Sequence, residues 1–130
     1  MFKEMTAQTQ ELIVESLNSV ITKLTCFNGD IAVLMNDEAE PYQRINDSVT
    51  DMLETVVELF TEDGHVIDEV TAYAKMVVLK ALNERIKELE TSMSYFAQFG
   101  EAVSVEPVIS VYQVKIKALY GAQMEFLTAV

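Results

Sequence analysis

One cysteine, one histidine, no tryptophan, two prolines and four glycines are all that this 130-residue chain contains of those types. Each scarcity removes a class of protein. A lone cysteine, Cys26, cannot form an internal disulfide and fits a reducing compartment. A lone histidine, His65, cannot complete a zinc or di-metal set, and it stands far along the chain from Cys26, so no nucleophile–base pair suggests itself. No glycine-rich phosphate loop occurs. Four glycines and two prolines are too few for a turn-rich all-β chain. The longest apolar run is five residues, Ile31 to Met35, well short of the roughly 20 that a membrane-spanning helix needs. The opening Met-Phe-Lys-Glu-Met-Thr has no apolar core of signal-peptide length, so the cytoplasm is the expected location. For the same reason the sequon at Asn46-Asp47-Ser48 is not expected to carry a glycan. Carboxylate pairs such as Glu54/Glu58 lie on a polar face with nothing to desolvate them. The chain therefore reads as non-enzymatic, with no cofactor and no metal.

What the chain has in abundance is acid. Twenty-one Asp and Glu stand against nine Lys and Arg, a net charge of −12, and half of all residues are apolar. The acids are unevenly placed. Residues 1–71 hold 15 acids and three bases (Lys3, Lys23 and Arg44), whereas residues 72–130 hold six of each. The entire surplus belongs to the first half. Such a field repels nucleic acid and anionic lipid and attracts basic proteins, so direct nucleic-acid binding is not expected.

Hydrophobic spacing then gives the elements. In the first segment Ile13, Leu17, Val20, Leu24, Phe27, Ile31 and Leu34 recur at steps of 4 and 3, a heptad seam. Asn28-Gly29-Asp30 interrupts it with helix-ending residues, yet the phase is unbroken, which predicts one helix from Thr6 to Asn36 with a weak point at Gly29. Cys26 beside it is expected to be buried or half-buried. Asp37 to Glu40 forms an acidic loop, and Pro41 opens the second helix, where proline is favoured in the first turn. Its expected seam is Tyr42, Ile45, Val49, Met52, Val56 and Leu59. Asp47, Asp51, Glu54, Glu58 and Glu62 fall on the other side at about 100° per residue, an acidic stripe. Like charges at i,i+4 cost a few tenths of a kcal/mol each, so the stripe is either a solubility feature or a docking face for a basic protein.

Asp63-Gly64 closes the second helix, with His65 exposed at the turn. Val66 to Phe99 runs 34 residues without proline or glycine, a helix of roughly 50 Å. Its middle is apolar round more than half its circumference, which requires neighbours on at least two flanks. One seam passes through Ile67, Val70, Ala74, Val77 and Ala81, and a second, shifted by one position, through Leu82, Ile86, Leu89, Met93 and Phe96. The charges between Asn83 and Thr91 read as a solvated outer side. Gly100 ends this helix. Ser104 or Glu106 caps the next, and Pro107 lies in its first turn. The fourth seam is Ile109, Tyr112, Ile116, Leu119, Phe126 and Val130, with Val108, Val111, Val114 and Ala118 as a second strip. Gly121 suggests a close helix approach.

The sum is a single all-α domain over residues 1–130: an antiparallel up-down-up-down four-helix bundle with one long central helix. Unequal helix lengths leave apolar turns over. Phe96, Phe99, Tyr112 and Tyr120 are the candidates for self-association, most simply as a two-fold dimer.

The stretch Ser92-Met-Ser-Tyr-Phe-Ala-Gln-Phe-Gly-Glu-Ala-Val-Ser-Val-Glu-Pro, followed by Val111-Tyr112-Gln113, resembles the phasins. In that family a long helix leads into a turn of the type Ala-x-Ser-x-Glu, and the next helix opens with an apolar pair and a glutamine. Here the glutamine stands one residue late. Tyr120 and Gln123 fit the aromatic and glutamine residues that follow. The likeness covers about 40 of the 130 residues. It implies a non-catalytic, self-associating protein that coats polyhydroxyalkanoate granules with an apolar helical face. Three functions thus stand side by side: an acidic module docking on a basic partner (adaptor, immunity, anti-defence inhibitor or nucleic-acid-mimic type), a phasin-like coat, and a structural oligomer subunit.

Overall fold

The computed structural model describes residues 5–61, 72–100 and 104–129. Four helices make up the architecture: α1, Ala7–Met35; α2, Glu40–Thr61; α3, Ala72–Ala97; and α4, Glu106–Ala129. No strand occurs among the described residues. The first helix is continuous through Gly29, where glycine inside a helix costs only about 1 kcal/mol. Thr6 caps α1, its side chain accepting a hydrogen bond from the Thr9 amide. The chain leaves α1 through Asn36, at φ 50°, a conformation asparagine tolerates better than most residues. A single 3-10 turn, Asn36–Glu38, then leads to Ala39, which is buried, and to Pro41 in the first turn of α2. At the other connection the Gly100 amide donates to the Ala97 carbonyl at 3.3 Å.

Side-chain pairs give the helix directions. Across α1 and α4, Glu15 pairs with Lys115 and Thr9 with Glu125. Across α3 and α4, Phe96 meets Tyr112 and Tyr120 meets Glu90. Both pairs are antiparallel, as is the α1–α2 hairpin, and the result is the up-down-up-down bundle. Its core is built from Ile13 and Leu17 of α1, Val78, Leu82 and Ile86 of α3, and Leu119 and Phe126 of α4. Phe60 closes it from α2, its ring 6.1 Å from that of Phe126 in an edge-on arrangement. On α3 the buried residues are Ala74, Val78, Ala81, Leu82, Ile86 and Leu89, so the phase expected from Leu82 onward is already present at Val78, while Val77 of the expected first seam is half-buried. That helix has a neighbour on each of two flanks, α1 and α4, and α1 is the helix on which the other three all pack. The expected α3 residues Val66 to Thr71, with Ile67 and Val70, lie outside the described residues, as do His65 and the Asp63-Gly64 turn.

Several expectations are corrected. In α2 the buried residues are Leu53, Val56 and Phe60, whereas Tyr42, Ile45, Val49 and Met52 of the expected seam are exposed. The physical reason is coverage: at 100° per residue Tyr42, Ile45 and Val49 share a face with Val56 and Phe60, but the first half of α2 packs on α1 alone and meets it through polar groups. Gln43 Nε2 donates to the Asn28 carbonyl at 3.1 Å, and Asn46 Nδ2 donates to Asn28 Oδ1 at 2.8 Å. In α1 the seam is likewise uncovered at Phe27 and Leu34. Cys26 is exposed. Gly121 approaches nothing: a β-carbon there would find no atom within 4 Å. The seam of α4 is carried past Gln123 by Ala122, which is buried, while Val108, Val111 and Val114 are exposed.

The span Asn83 to Thr91 is not simply an outer side. Arg85 and Glu88 are half-buried and bind across to α1. Arg85 lies 3.6 Å from Glu15 and 3.5 Å from Glu88, Lys115 lies 2.7 Å from Glu15, and Lys23 pairs with Glu88. Two acids and three bases thus form one polar layer joining α1, α3 and α4.

Candidate protein-interaction surface

The acidic stripe is built by α2. Asp47, Asp51, Glu54 and Glu58 follow steps of 4, 3 and 4 and fall within about 60° of one another at 100° per residue. They extend over roughly 16 Å of helix. All four are exposed. Asp47 at the leading end accepts a hydrogen bond from Asn28 Nδ2 at 3.0 Å. Asp51, Glu54 and Glu58 form no ion pair among the described residues, and the one basic residue of α2, Arg44, pairs with Glu40. Glu62, the fifth member, lies outside the described residues. Asp37, Glu38 and Glu40 at the hairpin tip are exposed as well. The stripe is a run of negative charge without ion-pair partners on one helix, and among the described residues no cluster of His, Cys, Asp or Glu has the geometry of a metal site.

Three of the four residues expected to self-associate, Phe96, Phe99 and Tyr112, belong to one aromatic cluster joined through Tyr95, and Tyr120 stands apart from it. Phe96 and Tyr112 are half-buried against each other, centroids 5.9 Å apart. Phe99 is exposed and stacks on Tyr95 at 5.2 Å. Tyr120 is exposed and donates its hydroxyl to Glu90 at 3.4 Å. Sequence reasoning missed two features. One is the polar layer around Arg85, for which the only sign was a glutamate between two core residues of α1, Ile13 and Leu17. The other is how far the apolar stripe of α2 is covered: Val56 is buried and Leu59 half-buried as expected, whereas Tyr42, Ile45, Val49 and Met52 are exposed.

A groove of about 250 Å³ runs between α1, α2 and α3, walled by Val20, Leu24, Val49, Leu53 and Val77, with Lys80 and Glu84 at its rim. Among the described residues no helix is long and apolar enough to cross a membrane. The fold and its surface define an acidic four-helix bundle. No family model, curated protein or solved structure matches the chain.

Proposed function

We propose that this chain is a non-enzymatic protein-interaction module that docks on a positively charged protein surface through the α2 stripe. The observation that supports it is the unpaired exposure of Asp51, Glu54 and Glu58, in a half of the chain that carries the whole negative surplus. Folding does not require that pattern, since like charges in i,i+4 register slightly destabilise a helix. An adaptor, immunity protein, anti-defence inhibitor or nucleic-acid mimic would use such a face. The same field disfavours direct nucleic-acid binding. Exposed charges act over roughly 8 Å at physiological salt, so binding weakens steeply as salt rises, and rim charges act chiefly on the association rate.

The test is affinity capture from the native host at low and high salt, with the wild type and a Glu54→Lys, Glu58→Lys double variant. The wild type retains a basic protein at low salt and releases it at high salt, while the double variant fails to retain it and melts at the same temperature or higher. Equal retention by the double variant at low salt would reduce the stripe to a solubility feature.

A phasin-like coat on polyhydroxyalkanoate granules is the second reading. Val111, Val114 and Met124 of α4, each more than 60% exposed, support it. Fractionation separates the two: a coat protein travels with granules, a docking module with a soluble partner.

A further inference from the structure

The apolar face that α2 turns away from the core adjoins the uncovered end of the α1 seam. Leu24 of the seam and Val49 of the stripe wall the same groove, so both faces lie on one side of the hairpin. Beyond that groove the surface continues through Phe27 and Leu34 on α1 and Tyr42, Ile45, Val49 and Met52 on α2, exposed at 58, 80, 51, 61, 36 and 45%. Asn28, Gln43 and Asn46 tie the two helices together beneath it. We infer that this face of the outer α1–α2 hairpin is the interface of a two-fold dimer of the chain.

Register, area and charge favour a second copy as the occupant of this face. Both seams keep 4-3 spacing past the point where α3 covers them. Two antiparallel helices with heptad seams on one side are half of a four-helix bundle, and the surface that complements such a half is another of the same kind. Two-fold symmetry supplies it. Taking about 200 Å² as the full area of each large side chain, the six residues offer roughly 600 Å² per copy. That is at the upper end of what a monomer leaves exposed as one patch, and two copies reach the roughly 1,200 Å² at which stable interfaces begin. The charges of the stripe, Asp47, Asp51, Glu54 and Glu58, lie on the other side of α2, so nothing in this face selects a basic partner. Residues 24–52 nevertheless carry six acids and one base. Two hairpins brought together repel at long range, and salt screens that repulsion. The dimer should therefore tighten with salt, opposite to docking on a basic protein, so failure of either proposal leaves the other standing.

Sedimentation of the full chain at low and high salt tests this directly. A monomer–dimer equilibrium at tens of micromolar that shifts toward dimer as salt rises is the expected result. Ile45→Glu, at an exposed position, should leave helix content and melting of the monomer intact. It should raise the dissociation constant roughly 100-fold or more, because each dimer then buries two carboxylates. Val111→Glu on α4 should leave the dimer unchanged. A monomer at every salt concentration, or a dimer lost in Val111→Glu and kept in Ile45→Glu, would overturn the assignment.

Discussion

Asn28 of α1 and Asp47 of α2 are joined across the hairpin by a 3.0 Å hydrogen bond, Nδ2 donating to Oδ1. The same Asn28 accepts from Asn46 through its side-chain oxygen and from Gln43 through its carbonyl. One residue therefore ties α2 to α1 through three hydrogen bonds.

Asn28→Ala should lower stability by about 1–2 kcal/mol, since it removes two side-chain hydrogen bonds and leaves part-buried Asn46 with an unmatched group. Thermal unfolding followed by circular dichroism checks it. An unchanged midpoint would mean that the polar cluster does not hold the hairpin.

Gly29 and Gly121 sit inside helices, and a β-carbon at either would meet no atom within 4 Å. Gly29→Ala and Gly121→Ala should each raise stability by up to about 1 kcal/mol, from helix propensity and a less flexible unfolded chain. The two sites are on different helices, so the double variant should show the sum. Urea midpoints at constant slope are the measurement.

Val78 is fully buried while its neighbour Val77 is half-buried. Val78→Asp should abolish folding, because an unpaired carboxylate in the core costs several kcal/mol. Val77→Asp should cost less, since it lies on the groove wall and can reach water. Equal melting of wild type and Val78→Asp would show that α3 is not packed as described.

Cys26 is exposed. A thiol reagent should therefore label it to one equivalent in the folded protein, at the rate seen in denaturant to within a few-fold. Slow labelling that needs unfolding would place it in an interface.

Spacing alone determined a good deal of this protein. A 4-3 seam and the positions of Pro41, Gly100 and Pro107 were enough to place four helices and to carry α1 through Gly29. Exposure of the acids in α2 followed too, because charges leave a core wherever the helix is put. Spacing could not say which neighbour covers a stripe, or for how far. At 100° per residue Val49, Leu53, Val56 and Phe60 fall on one face of α2, yet only the last three are buried. Coverage is a matter of relative helix length and placement, which left Phe27, Leu34, Tyr42 and Ile45 uncovered despite their register. The polar layer of Glu15, Arg85, Glu88, Lys23 and Lys115 joins three helices, and no single helix's periodicity contains it. Local pattern encodes the direction a side chain takes from its own axis; what stands in that direction is decided when the helices pack.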